Sequence, residues 1–280
     1  MKLRIFALAF ITGFVFCFSA AAFFIFSFGK NPLPEKSEIP ETEAVFLENE
    51  KEVFLLIYEN PKSFGPFTLL SFDAKAGRIP VFSFSEKAAL NYGGVFISAG
   101  NLFSAVSPEV FAGTVETNLG IELSGYFIWN REAAEEIVSK TGGFDYFLPK
   151  NIRYSEGDSY VNLLSGVQSM NGKKICDLAE NPKFSEAERC DTVSRLGAAF
   201  FNRRLKRFLP ESNVYSVIFN FTKTDVSAFD KESIAKLVEV LCSSGESLSG
   251  HITNDTEKDL STGLLYFSDE TKKRIIKYFG

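Results

Sequence analysis

The chain has 280 residues, 45% of them apolar, enough to build a substantial core in one large domain rather than two small ones. Its net charge of −5 sets 35 acidic against 30 basic residues, a balance that argues against nucleic acid as a partner. Four cysteines without metal-ligand spacing and one histidine, His251, in a polar segment argue against a zinc site and a Ser-His-Asp triad.

Residues 1–4 read as a cytoplasmic stub and 5–29 as a transmembrane anchor. Ile5 to Gly29 is a run of 25 residues without a charge, and at ~1.5 Å per residue it is long enough to cross the hydrocarbon of a bilayer. Lys2, Arg4 and the amino terminus precede it, while Lys30 is followed by Glu35, Glu38, Glu41 and Glu43. The positive-inside rule therefore predicts a single-pass protein of the cell membrane, with the amino terminus cytoplasmic and the bulk of the chain extracytoplasmic. The competing reading is a cleaved signal peptide ending near Ser19, Ala20, Ala21 and Ala22. The anchor is preferred because Phe23, Phe24, Ile25, Phe26 and Phe28 carry the apolar run beyond a usual signal core of ~7–15 residues. Either way the rest is exported, with 28 basic against 35 acidic residues, so an anionic head group would need a local basic cluster.

Residues 30–50, interrupted by Pro32, Pro34 and Pro40, read as a stiff spacer, and 51–280 as the extracytoplasmic domain. Val53 to Tyr58 is a continuous apolar run, as for a strand covered on both faces. Phe67 to Phe72 and Ile79 to Phe84 predict a hairpin across residues 73–77. Ser107 caps a helix with Pro108 and Glu109 in its first turn, Phe111, Ala112, Val115 and Leu119 inward, and Gly120 at its end. A strand over 121–129 follows, then a helix capped by Asn130 with Ala133, Ala134, Ile137 and Val138 on one face, ended by Gly142 and Gly143.

Further along, Tyr160 to Leu164 predicts a short strand and Gly172 to Ala179 a helix. Ser185 and Glu188 fit a capping box opening a long helix with Val193, Leu196, Phe200, Leu205 and Phe208 apolar, stopped before Pro210. Val214 to Phe221 reads as a strand, Asp230 as the cap of a helix bearing Ile234, Leu237, Val238 and Leu241, and Ser268 as the cap of a last helix with Ile275, Ile276 and Phe279 inward. The expected class is α/β: a layered mixed sheet flanked by helices on both faces, preceded by one N-terminal transmembrane helix. Cys17 falls in the anchor, and the odd number left outside it excludes a complete disulfide framework. Cys176 and Cys190 flank a loop, where they either pair or sit as small buried hydrophobes.

The segment Gly113 to Tyr154 resembles the middle of the LytR-CpsA-Psr domain. There, a helix ending in leucine and glycine leads into a strand, a helix, and a Gly-Gly-Val-Asp strand with a following proline. This chain has Leu119 and Gly120, then Gly142, Gly143, Phe144 and Asp145, then Pro149, with a weaker match at Tyr92, Gly93 and Gly94. By element order the resemblance spans about Lys51 to Val240. It implies a membrane-anchored envelope protein whose relatives move a glycopolymer phosphate from a polyprenyl pyrophosphate carrier to peptidoglycan. Arginines and a divalent cation such as Mg²⁺ would hold the pyrophosphate in such an enzyme. Of the 31 phenylalanines 22 lie beyond the anchor; they fill a core, or line the elongated apolar pocket that the family uses for a polyprenyl tail.

The positions that would carry the chemistry are mostly changed. Pro66 stands near the expected aspartate, Glu86 near an expected arginine, and Asp177, Leu178, Ala179 and Glu180 where the family has a Val-Arg-Phe-Arg motif. Cys190 and Asp191 match a Gly-Asp pair, but the following arginine aligns with Ser194, and Arg195 comes one residue late, turned by ~100°. Lys62, Lys87, Arg189, Asp191 and Arg195 are the candidates for contact with pyrophosphate or polymer, each with a solvated-surface alternative, as for Arg78 and the cluster Arg203, Arg204, Lys206 and Arg207. No catalytic residue is assigned, and no cofactor follows unless the chain is active, when Mg²⁺ does. The expectation is a non-catalytic binding or scaffolding protein, whose partners are the membrane and a polyprenyl-linked glycopolymer or peptidoglycan. The alternative is an active phosphotransferase with relocated arginines.

Overall fold

The computed structural model describes residues 50–280 apart from 61–62, 157–158, 210–213 and 244–247. The anchor expected over 5–29, nearly all of the expected spacer, Cys17 and Lys62 thus lie outside the described residues. The described residues belong to one compact unit within 47–280. No helix among the described residues is long and apolar enough to cross a membrane.

β1 (Lys51–Asn60), β2 (Ser63–Asp73) and β3 (Arg78–Phe84) form an antiparallel meander, of which the β2–β3 hairpin was expected. β4 (Ala89–Tyr92) and β5 (Val95–Ser98) make a small hairpin whose turn is Gly93 and Gly94, both at positive φ; this conformation is why glycines follow Tyr92. α1 (Ala99–Ala105) and α2 (Pro108–Leu119) come next, α2 with the Ser107 cap and a left-handed Gly120 at its end. β6 (Gly125–Trp129) leads to α3 (Arg131–Thr141), capped by the Asn130 side chain. Two ribbons follow: β7 (Phe144–Leu148) with β10 (Gly166–Met170), and β8 (Ile152–Glu156) with β9 (Ser159–Leu163). Then come α4 (Gly172–Ala179), α5 (Glu186–Arg204), a 3₁₀ turn over Leu205–Phe208, α6 (Val214–Phe221), β11 (Lys223–Thr224) and α7 (Ala228–Ser243). β12 (Leu248–Ile252), β13 (Thr256–Lys258), β14 (Leu265–Phe267) and α8 (Asp269–Phe279) complete the domain.

The main sheet has six strands in the order β11-β6-β1-β2-β3-β12, with β6 parallel to β1 and β12 parallel to β3. Successive residues of β1 face opposite sides, and both sides are covered, which explains its unbroken apolar run. Leu55 and Ile57 join Phe67, Phe82 and Phe84 against α1, α2 and α8, where Phe103, Phe111 and Phe279 are buried. Phe54, Leu70, Phe72 and Val81 face the other way, toward Phe201 of α5 and Leu237 and Val238 of α7. A mixed sheet between two helical layers is therefore the observed architecture.

The family-like Gly-Gly pair has a steric role. A Cβ on Gly143 would stand 2.3 Å from the Met170 carbonyl oxygen, so β7 approaches β10 only with glycine there. Gly172 acts likewise between helices, since a Cβ would meet the Glu135 Cα at 2.3 Å; this seats α4 directly on α3.

Four expectations are corrected. Val214 to Phe221 is helical: Val214, Tyr215 and Val217 are buried, and the Tyr215 hydroxyl donates to the Phe208 carbonyl at 2.6 Å. Packing over the sheet overrides the strand preference of its branched and aromatic residues. α7 starts two residues before Asp230. The strand expected over 121–129 begins only at Gly125, because Leu123 N–H donates to the Glu116 carboxylate instead of to a sheet partner. Ile276 is exposed while Ile275 and Phe279 are buried, as one residue's rotation on α8 requires.

Candidate functional site

On the second face of the sheet, α3, α4, α5 and α6 enclose a cavity of about 210 Å³, far more than the ~10–15 Å³ that one water molecule needs. Its walls are almost wholly apolar. Phe54, Leu56 and Phe127 come from the sheet, Ile137 from α3, Ile175 from α4, Val193 and Phe200 from α5, and Ile218 and Phe219 from α6. Space remains because small side chains, Ala134, Cys176, Ala179 and Gly197, line the same volume. Pro66, at the position where the resemblance expects an aspartate, is part of this wall. The segment read as a strand, Val214 to Phe221, is thus one of the covers of the cavity.

One rim lies at the carboxyl ends of the parallel pair β1 and β6, where ligands favour α/β sheets. Tyr58 and Trp129 are register partners there, with rings edge-on at 5.6 Å, and both line the cavity. The Tyr58 hydroxyl donates to Glu180 Oε1. Arg131, at the start of α3, donates from Nη1 and Nη2 to Asp177 Oδ1 at 3.1 Å and from Nη2 to Glu180 Oε2. Lys173 Nζ is 3.0 Å from Asp177 Oδ2, and Glu135 stands 3.6 Å from the guanidinium. Burial disfavours the Arg131 charge, but the bonds and charges of Glu180 and Asp177 outweigh it, so its proton is held more tightly than usual. Burial foremost, then Cys176 and Glu180, push the Tyr58 phenol far up. Burial also raises the Cys176 thiol to about 12.

A second polar cluster lies past the end of β3 and along the first turns of α5. Ser85 Oγ donates to Glu186 Oε2 at 2.7 Å and Lys87 Nζ to Oε1 at 3.2 Å. Burial alone would raise the Glu186 carboxyl, yet these two bonds and the charges of Lys87 and Arg189 bring it below the usual range. Arg189 donates from Nη2 to the Asn181 carbonyl at 3.3 Å, and its buried Nε has no hydrogen-bond partner. Asp191 Oδ2 accepts from Arg195 Nε at 2.8 Å, while Oδ1 stands 3.8 Å from Nε2 of His251 on β12. The nearby carboxylate favours protonated His251, but burial, aided by Arg195, prevails and lowers its pKa.

The sequence candidates therefore separate into two kinds. Lys87, Arg189, Asp191 and Arg195 do gather on α5 and the end of β3, but Lys87 and Arg195 are each engaged by a carboxylate of this chain. Arg204 is structural, donating to the Gly143 carbonyl, and Arg78 pairs with Asp73 and lies over the Tyr278 ring. Cys176 and Cys190 are both buried and free, which decides between the two readings of that pair. Sequence reasoning missed Tyr58, Arg131 and Lys173. The available signal was the i, i+3 spacing of Asp177 and Glu180, which puts two carboxylates on one side of a short helix and calls for a cation opposite. Among the described residues no group of three or more His, Cys, Asp or Glu is placed to hold a metal ion. Asp177 and Glu180 already hold Arg131, so these residues do not fit Mg²⁺.

No protein-family model and no curated protein matches the sequence. Solved structures do match. A Eubacterium siraeum protein described as a transcription regulator is 15% identical, covers 84% of this chain and 93% of its own, and superposes with a TM-score of 0.72. TagV of B. subtilis, 15% identical, covers 82% of this chain and 96% of its own at 0.63. TagT of B. subtilis, 16% identical, covers 83% and 92% at 0.62. TagV and TagT are LytR-CpsA-Psr proteins. This chain has the LytR-CpsA-Psr fold.

The fold implied by Gly113 to Tyr154 is thus the fold found. TagT has also been solved bound to LIIa-WTA and to LI-WTA, forms of wall teichoic acid. Within the LytR-CpsA-Psr fold of this chain, the stretch where the resemblance implies a Val-Arg-Phe-Arg motif after β10 runs from Asp177 to Glu180, and its two carboxylates are both bonded to the Arg131 guanidinium.

Proposed function

We propose that this chain is a membrane-anchored, extracytoplasmic envelope protein of the LytR-CpsA-Psr type that holds a long apolar chain in its cavity and does not transfer a phosphoryl group. The supporting observation is that the apolar cavity persists while Arg131 at its rim is neutralised by Asp177 and Glu180. Pyrophosphate transfer needs guanidinium groups free to fork onto phosphate oxygens as charge builds on the leaving group. Here the fork is occupied. Anchoring through residues 5–29, the spacer over 30–50 and the extracytoplasmic placement of the domain rest on the charge pattern of the sequence. A polyprenyl-linked glycopolymer or peptidoglycan is the partner class, consistent with the wall teichoic acid complexes of TagT. Incubation of the protein with a polyprenyl pyrophosphate glycan, Mg²⁺ and peptidoglycan fragments is expected to give no transfer; turnover abolished by Arg195→Ala would overturn the proposal.

An active phosphotransferase is the second reading, favoured by the unpartnered Nε of Arg189 beside the Ser85, Lys87 and Glu186 cluster. It requires Lys87 and Arg195 to leave Glu186 and Asp191 when substrate arrives. The same transfer assay separates the two.

A further inference from the structure

The charge network at the rim is within one side chain of the apolar space. Tyr58 both lines the cavity and donates to Glu180. On α4 the lining residues Cys176 and Ala179 alternate with Asp177 and Glu180. The side chains of Asp177 and Glu180 are only 8% and 14% exposed, so salt screens them weakly. With Glu135 they oppose two cations, Arg131 and Lys173, and leave the rim with an excess of negative charge.

We infer that the cavity takes an uncharged lipid alcohol, a long-chain isoprenoid or acyl alcohol, in preference to its phosphorylated form. The inference rests on the proposed lipid-holding role and adds the head-group class. A phosphate at this rim must either face Asp177 and Glu180 or take Arg131 from them, leaving the nearly buried Glu180 with no cation and Asp177 with Lys173 alone. At an effective dielectric of ~20, one unit of like charge ~6 Å away weakens binding by about a hundredfold. A hydroxyl meets neither obstacle. It donates to a carboxylate oxygen, each carboxylate having about four acceptor sites of which the network uses only some, and it costs little to remove from water.

The test compares a polyprenol with its monophosphate and pyrophosphate esters of equal chain length, bound to the delipidated full-length protein in detergent and read by native mass spectrometry. The alcohol is expected to bind more tightly by about tenfold or more. The double variant Asp177→Asn, Glu180→Gln, which frees Arg131, is expected to narrow or reverse that order. Equal or tighter binding of the pyrophosphate to the unaltered protein overturns the inference and leaves the lipid-holding role standing. Binding of none of the three overturns both. Should the variant fail to fold, the comparison on the unaltered protein decides alone.

Discussion

Arg131 and Glu180, 49 residues apart, are joined by a hydrogen-bonded ion pair, and the other oxygen of the same carboxylate accepts the Tyr58 hydroxyl. One carboxylate thus ties the end of β1, the start of α3 and the end of α4 at a single point. Removing the cation from this point leaves Glu180 with only the Tyr58 hydroxyl and Asp177 with only Lys173, both carboxylates being nearly buried. Because the guanidinium itself is 38% exposed, Arg131→Ala is expected to cost about 2 kcal/mol rather than the ~3–5 kcal/mol of a fully buried pair. Arg131→Lys, which restores charge but not the planar fork, recovers only part of it. Urea denaturation of the two variants checks the order, and a neutral Arg131→Ala would contradict it.

His251, the only imidazole in the chain, titrates below its ordinary 6.5 because burial and Arg195 outweigh Asp191. The unfolded chain therefore binds this proton at higher pH than the folded one. Its contribution to stability is complete above pH 6.5 and falls as pH drops from there through the folded value. The histidine NMR signal is expected to show a midpoint below 6.5, and His251→Gln to flatten the stability profile in that window. A midpoint above 6.5 would mean that Asp191 dominates.

Cys176 and Cys190 are buried thiols, each raised to about 12. At pH near 8 only a minute thiolate fraction exists on either, so neither reacts with a disulfide reagent until the domain unfolds. Non-reducing mass mapping is expected to show both as free thiols. A Cys176–Cys190 bridge would contradict the packing.

Filling the cavity separates binding from folding. Val193→Trp places a large ring in the apolar space and is expected to reduce captured lipid strongly while changing stability by about 1 kcal/mol or less, since no packed group is displaced. Phe82→Ala, in the packed core on the other face and fully buried, is expected to cost ~3–5 kcal/mol with no specific effect on lipid. Lipid retained by Val193→Trp at the original level would place the ligand elsewhere.

Helices with a capping side chain were legible from sequence, since Ser107, Asn130, Ser185 and Ser268 each accept the hydrogen bond that their position predicted. Strands β1 to β3 were legible because both sheet faces are buried and the apolar runs are long. The edge strand β12 was not, because its segment Leu248, Ser249, Gly250, His251, Ile252 has no apolar run and is placed only by parallel pairing with β3. Val214 to Phe221 was misread because local preference favours a strand while the cavity beneath it requires a helix. At the site, the changed positions were visible: Pro66 near an expected aspartate, Glu86 near an expected arginine, and Asp177 to Glu180 in place of the Val-Arg-Phe-Arg motif. The capture of Arg131 by Asp177 and Glu180 was not, as it depends on Gly172 letting α4 settle onto α3.

The proposed role requires a cavity that holds lipid and a rim that does not hold pyrophosphate. Native mass spectrometry of the full-length protein, extracted in mild detergent without added ligand, tests it most directly. The expected result is a long-chain apolar adduct without phosphorus, absent from Val193→Trp. A co-purified polyprenyl pyrophosphate species that survives on the unaltered protein and is lost from Arg189→Ala or Arg195→Ala would contradict it.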